Sequence, residues 1–191
     1  MKNSVVHKDI QQAQLAIGWR TFGIGDRRRY AAAVIDGILG RGMSSRLFQE
    51  VREKRGLSYD ISSRMQFFQE AGMFVITAGT DPGKRLETLR VIEGEIVKLR
   101  ERRIGAAELK RTKDFLIGNF RLSHEKVVSK MFYHGSTALG FGRVVPTAEQ
   151  IDGIRSVTAD DVLSTARAIF RKSRRSVSWV LPMKKTSGAA S

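Results

Sequence analysis

The sequence predicts an α+β domain in which helices pack on one face of a mainly antiparallel sheet. Apolar side chains alternate with polar ones over residues 12–20, 57–67 and 72–79, as half-buried strands require. Only a short loop separates the last two segments, which indicates an antiparallel hairpin. From residue 86 onward, apolar residues recur mostly at helical spacing. Helices grouped in this way, without alternating strands, are typical of the α+β class.

The first half of the chain predicts a strand, two helices and a hairpin. Residues 23–26 form a turn after the first strand, and a helix with Val34 and Ile38 on one face follows. The segment Gly40-Arg41-Gly42 ends this helix, because glycine favours turns over helix interiors. Met43, Leu47 and Val51 then share one face of a second helix, which leads into the hairpin.

The second half predicts further helices and a final strand. Residues 81–83 (Asp-Pro-Gly) form a turn that begins a long amphipathic helix. Thr147 and Thr158 each precede a polar or acidic residue at capping-box spacing, so each is expected to cap a short helix. Residues 1–183 are expected to form one domain, and residues 184–191 a disordered polar tail. The predicted helices and the last strand cover residues 86–99, 106–122, 124–139, two short segments after 146, and the region of Val177, Trp179 and Leu181.

Composition narrows the classes of function. The 191 residues contain no cysteine, so disulfides and thiolate metal sites are excluded. No apolar run reaches the ~20 residues of a membrane span, and the N-terminus lacks the apolar core of a signal peptide. We therefore expect no membrane association; the compartment is unknown and cytoplasmic by default. The net charge of +15 suits an acidic partner or a nucleic acid, but the basic residues are dispersed and form no recognition motif.

One segment of the sequence carries a long pattern, which is a more specific indication of relationship than any single residue. Residues 39–59 read LGRGMSSRLFQEVREKRGLSY. This segment closely resembles the pattern G-G-G-M-S-S-R-L-F-Q-E-x-R-E-K-R-G-L-x-Y of the pitrilysin/insulinase zinc metallopeptidases, a family that includes mitochondrial processing peptidase and bacterial zinc proteases. The order of elements from about residue 8 to 182 is also similar to one domain of this family.

The resemblance implies the zinc-free, inactive C-terminal domain of such a peptidase. In the family, a domain with an H-x-x-E-H motif carries zinc, and a second domain across a closed chamber helps to bind the peptide. His7, His124 and His134 are the only histidines here, and none begins that motif, so we interpret them as structural or surface residues. We therefore expect no metal in this chain, zinc in a partner domain, and no peptidase activity for the chain alone.

Arg52 and Tyr59 are the candidate catalytic residues. Their R-x6-Y spacing matches the pair that zinc-free domains of this family often supply. The resemblance implies that the arginine holds the substrate backbone and that the tyrosine hydroxyl stabilises the tetrahedral intermediate, in trans to the partner's zinc. The alternative is that Arg52 is a solvated residue at a helix C-terminus and that Tyr59 lies in the core beside Ile61.

Gly40, Arg41, Gly42 and Met43 are the candidate substrate-binding residues. A glycine-rich loop contacts the peptide at this place in the processing peptidase, and glycines let a loop approach a ligand backbone closely. Arg41 departs from the family's run of glycines, and it could add positive charge to the chamber wall. The alternative is a simple turn between two helices.

Three functions therefore remain open. The first is the substrate-holding half of a zinc metalloendopeptidase, whose partners are an H-x-x-E-H domain and an extended peptide. The second is a non-catalytic module of the same fold, and the third is a basic nucleic-acid binder. An isolated domain is also expected to be able to form homo-oligomers through the face that its partner would cover. Phe67, Phe68, Phe74 and Trp179 could line a peptide groove, although aromatic residues at strand spacing are more often part of a core.

Overall fold

A computed structural model describes residues 2–183. Its five strands form one sheet in the order β1-β5-β2-β4-β3. β1 pairs in parallel with β5, and every other neighbouring pair is antiparallel, so the predicted mainly antiparallel sheet is confirmed. The predicted tail at 184–191 lies outside the described residues. The strands are β1 (Lys2–Lys8), β2 (Ala13–Phe22), β3 (Ser58–Phe67), β4 (Ala71–Thr80) and β5 (Arg175–Pro182).

The helices follow the predicted order, with one change of type. The second predicted helix is largely a π-helix, Phe48–Glu53, and Met43 lies before it in an exposed turn. Short 3₁₀ turns precede α2 and β5. The α-helices within residues 2–183 are α1 (Arg29–Gly40), α2 (Arg85–Glu101), α3 (Ala106–Ser123), α4 (Val127–Phe141), α5 (Thr147–Ser156) and α6 (Ala159–Ile169).

The core lies between one face of the sheet and the helices. Side chains of β2 alternate between buried and partly or fully exposed, as the sequence pattern predicts. Trp19, Phe74 and Phe170 form an aromatic cluster in this core, and the Phe170 ring centre lies 5.0 Å from that of Trp19 and 5.1 Å from that of Phe74. Phe74 and Trp179 are both buried, so neither is free to line a peptide groove.

Two features of the fold differ from expectation. β1 was not predicted, because its only apolar pair, Val5 and Val6, is exposed and lacks the alternation of a half-buried strand. Thr158 forms the expected capping box with Asp161, but Thr147 makes no cap hydrogen bond and is itself the first residue of α5. In the part of the chain that the structure describes, the helices are too short or too polar to span a bilayer.

Candidate functional site

Arg52 and Tyr59 lie in contact at one end of the sheet. Arg52 occupies the last turn of the π-helix, and Tyr59 is the second residue of β3. The Arg52 guanidinium carbon lies 4.5 Å from the centre of the Tyr59 ring and 4.8 Å from that of Phe48. Within these distances a cation is attracted to the face of an aromatic ring. The structure thus brings together the two residues that the sequence singles out.

A β-bulge directs the Tyr59 side chain away from the core. Ser58 pairs with Thr80 and Asp60 pairs with Gly79, so Tyr59 is the extra residue between two successive pairs. Its side chain is therefore 77% exposed, whereas Ile61 is buried. The alternative interpretation of Tyr59 as a core residue beside Ile61 is wrong. Bulges often re-aim side chains next to active sites, and π-helical turns are also frequent at functional sites.

Backbone hydrogen bonds fix the turn that joins the two residues. The Gly56 N–H donates to the Arg52 carbonyl (3.0 Å), and the Leu57 N–H donates to the Val51 carbonyl (2.9 Å). Gly56 has φ +55°, a conformation that side chains other than glycine's rarely adopt. The Thr80 hydroxyl then donates to the Leu57 carbonyl (2.6 Å), which ties the turn to β4. Arg52 and Tyr59 are thus held on ordered backbone.

The Arg52 guanidinium has little competition from nearby carboxylates. Glu50 accepts short hydrogen bonds from Lys54 and Arg55 (both 2.6 Å), and these two cations lower the pKa of Glu50 to about 2. Glu53 is the remaining acid of the helix, and its carboxylate lies 3.8 Å from the Arg52 Nε. That distance is too long for a direct hydrogen bond. Arg52 therefore keeps donors that a ligand can use.

The segment 40–43 is anchored inside the domain. A Cβ on Gly40 would lie 2.2 Å from the Ser63 backbone nitrogen, so only glycine lets the end of α1 approach β3 this closely. The Arg41 Nε donates to the buried Asp36 carboxylate (2.6 Å). Gly42 has φ +81°, and Arg41, Gly42 and Met43 are all exposed, with Met43 the large apolar residue among them. Packing and turn geometry therefore account for both glycines.

Asp36 is a buried carboxylate that the sequence analysis missed. Besides Arg41, it accepts a hydrogen bond from the Ser63 hydroxyl (2.6 Å). Burial raises the pKa of the Asp36 carboxyl, although Arg41 and the Ser63 hydroxyl act in the opposite direction. A lone acid on the apolar face of α1, beside Ile35 and Ile38, was the signal that could have revealed it.

The histidines do not form a metal site in the described residues. His124 packs against Phe120 with its ring tilted by 43° and the ring centres 4.0 Å apart, and its Nδ1 lies 2.8 Å from the Phe120 carbonyl oxygen. His134 lies beside Tyr133 on α4. Across residues 2–183, no three His, Asp or Glu side chains are close enough together to hold a metal ion.

Comparison with solved structures identifies the same fold in bacterial proteins. A protease from Helicobacter pylori superimposes with a TM-score of 0.85 at 21% identity, over 94% of this chain and 44% of that one. A peptidase M16 inactive domain from Pseudomonas fluorescens gives a TM-score of 0.81 at 22% identity, over 95% and 44% of the two chains.

Sequence comparison identifies the family. An uncharacterised zinc protease of Rickettsia felis is 36% identical over 88% of this chain and 41% of its own length, and one of Streptomyces coelicolor is 34% identical over 94% and 39%. The chain thus spans about two fifths of the length of these relatives. Residues 2–116 match the family described as the peptidase M16 inactive domain. The chain therefore belongs to the M16 family of zinc proteases, as one of its inactive domains.

Proposed function

We propose that this chain is the metal-free half of a zinc metalloendopeptidase, which holds an extended peptide and supplies Arg52 and Tyr59 to a partner half with an H-x-x-E-H motif. The observation that carries the proposal is the contact between the partly buried Arg52 and the exposed Tyr59, which a π-helix and a β-bulge position. The family membership supports a partner with catalytic residues.

The chemistry of the two side chains suits this role. Zinc in such a half supplies an activated water and polarises the scissile carbonyl. The Arg52 guanidinium has planar N–H donors that can hold peptide carbonyl oxygens, and the rings of Phe48 and Tyr59 fix its plane. The Tyr59 hydroxyl donates to the oxyanion that develops as water attacks, and a donor fixed in advance stabilises that charge most effectively.

The segment 40–43 is the proposed second contact with the peptide. Met43 is exposed and supplies an adaptable apolar surface. The Gln49 side-chain amide donates to the Met43 carbonyl (2.7 Å), so this segment and the helix that carries Arg52 are held together. In the proposal, Gly40, Arg41 and Gly42 set the position of Met43: Gly40 packs against Ser63, the Arg41 Nε bonds to Asp36, and Gly42 makes the turn.

The test uses a hybrid of the Rickettsia felis zinc protease in which this chain replaces the segment that it matches. Cleavage of a quenched fluorescent peptide is measured for the hybrid and for a variant with Arg52→Ala and Tyr59→Phe. We expect the variant to lose about 100-fold or more in kcat/KM, because two oxyanion or substrate donors are removed. Arg55→Ala is the matched control, because Arg55 lies in the same turn but pairs with Glu50.

Two results would contradict the proposal. One is an active hybrid whose double variant cleaves the peptide as fast as the unaltered chain. The other is stoichiometric zinc binding by the isolated chain, measured by calorimetry, since the proposal places the metal in the partner.

A non-catalytic module of the same fold is the second candidate. The ion pair between Arg41 and buried Asp36 favours it, because this pair fixes a segment that the peptidase proposal uses for substrate contact. In a non-catalytic module, the stack of Arg52 on Tyr59 has only a structural role. The double variant would then lower stability without changing the rate of cleavage by the hybrid.

A further inference from the structure

Helix α4 exposes the side of its surface that is most apolar. Of its fifteen residues only Thr137 is buried, although the helix is rich in large apolar side chains. The outer stripe of α4 is defined by Val128, Met131, Phe132 and Leu139. Met131 and Phe132 lie three and four residues after Val128, and Leu139 lies seven after Phe132, so the four fall on one side of the helix. Phe132 is 66% exposed and Leu139 is 85% exposed.

The inner side of α4 is the more polar one. Thr137 bonds to the His134 carbonyl (3.0 Å) and accepts from the Val145 N–H (3.3 Å). Tyr133 packs edge-on against Phe120 of α3, with ring centres 5.3 Å apart. A surface helix normally has the opposite arrangement, with apolar residues inward and polar residues outward. This inversion indicates that the apolar side of α4 packs against a partner outside residues 2–183.

The exposed apolar surface extends beyond α4 itself. Leu122 at the end of α3 and Val144 just after α4 are also exposed, and in the chain they lie just before and just after the outer stripe. Monomeric soluble proteins rarely leave large contiguous apolar patches in water, and such patches mark interaction sites.

Net charge and the length of the relatives indicate which partner covers the outer stripe. A second copy would bring one net charge of +15 against another, and this repulsion opposes self-association. The curated relatives are more than twice as long as the segment that this chain matches, so in them such a domain shares the chain with a larger remainder.

We propose that the outer stripe of α4 is the docking surface for the zinc-carrying half of the peptidase, through an apolar patch on that half. The proposal rests on the proposed function for the identity of the partner. It assigns α4 to assembly, and it leaves Arg52 and Tyr59 for the substrate.

Hydrogen exchange of the α4 amides tests the proposal in the same hybrid of the Rickettsia felis protease. We expect these amides to exchange at least about tenfold more slowly in the hybrid than in the isolated chain, because docking opposes local opening of the helix. Phe132→Glu with Leu139→Glu removes this protection. The matched control is Leu86→Glu with Val97→Glu, which places two charges at exposed apolar positions of α2 and keeps the protection.

Three results would overturn the docking proposal. The α4 amides could exchange equally fast in the hybrid and in the isolated chain, or the α2 control could remove the protection as completely as the α4 variant. A dimeric isolated chain, seen by sedimentation and dissociated by the α4 substitutions, would assign the stripe to a second copy.

The exchange measurement needs no peptidase activity, so the two proposals fail separately. Protected α4 amides together with an Arg52/Tyr59 double variant of full activity would retain the docking surface and reject the catalytic role. Unprotected α4 amides in a hybrid that needs Arg52 and Tyr59 would do the reverse.

Discussion

Asp36 is the residue on which the position of segment 40–43 depends. It accepts hydrogen bonds from the Arg41 Nε and the Ser63 hydroxyl, both at 2.6 Å, and so links the end of α1 to β3. Arg41 is half exposed, whereas the Asp36 carboxylate is almost fully buried. Loss of the ion pair therefore costs more at Asp36 than at Arg41, because water can solvate the Arg41 guanidinium but cannot reach the buried Asp36 carboxylate.

We predict that Asp36→Ala lowers the free energy of unfolding by about 1–3 kcal/mol, since it removes the carboxylate that accepts from the Ser63 hydroxyl at 2.6 Å and leaves that hydroxyl only the carbonyl of residue 36, at 3.2 Å. A fully buried ion pair would lose more, about 3–5 kcal/mol, but the exposed Arg41 can rehydrate. Asp36→Asn keeps an acceptor for Ser63 and is expected to cost less than Asp36→Ala. Urea unfolding at pH 7 measures all three proteins. Equal losses for the two variants would show that charge, and not the hydrogen bond, matters.

Among the elements, α5 and α6 begin with the same sequence signal and different structures. Thr158 accepts a hydrogen bond from the Asp161 N–H (3.1 Å), and the Asp161 carboxylate accepts from the Thr158 N–H (2.8 Å). We predict that Thr158→Ala costs about 1 kcal/mol of stability. Thr147→Ala, where no cap bond exists, should change stability by less than about 0.5 kcal/mol. Thermal unfolding of both variants checks this, and equal effects would contradict it.

The extent to which the elements were predictable follows their side-chain patterns. Strands β2 to β5 and most of the helices were predicted because each buries one apolar side and so leaves a period in the sequence, whereas α4 leaves the period although its apolar side is exposed. β1 has no such period in its sequence. It is a strand because it pairs in parallel with β5, which lies more than 160 residues away in the chain. The Tyr59 bulge adds one residue to β3, and simple alternation cannot show where a strand gains a residue.

The candidate site was predictable in its residues but not in its geometry. The spacing of Arg52 and Tyr59 was visible in the sequence through its resemblance to the family. Their stacking depends on a π-helix, which has no distinct apolar period, and on the bulge beyond it. The link from Asp36 to Ser63 spans 27 positions between a helix and a strand, so only the folded chain reveals it.

For the whole molecule, the ion pairs between the acidic residues and the more numerous basic residues determine how stability changes as the pH falls. The chain has 19 acidic and 34 basic residues, so most carboxylates find a cation nearby. Partners lower the pKa of several folded-state carboxyls: Arg28 for Asp26, Lys54 and Arg55 for Glu50, Arg46 for Glu108, Arg143 for Glu149 and Thr158 for Asp161. Asp36 is the exception, since burial raises its pKa.

Acid should therefore destabilise the fold, and Glu50 allows a specific test. An acid with a lower pKa when folded binds fewer protons than in the unfolded chain, so its stabilisation is present above the unfolded pKa and is lost as pH falls. For Glu50 that loss runs from its ordinary value of 4.5 down to about 2. The pKa of Asp36 is raised, so its contribution to stability changes with pH in the opposite direction, but five other carboxyls have lowered pKa values. The growing positive charge adds repulsion in the same direction as the loss.

We predict that the free energy of unfolding, measured by urea titration at several pH values, falls steadily between pH 4.5 and 2. Glu50→Gln lowers stability at pH 7 and makes the fall shallower, because one titrating group that favours the folded state at neutral pH is gone. Glu87→Gln on α2 is the control, since Glu87 makes no ion pair within residues 2–183, and it should keep the original slope. An unchanged slope in Glu50→Gln would show that Lys54 and Arg55 do not hold this carboxylate in solution, and the carboxylate would then be free to compete for the Arg52 guanidinium.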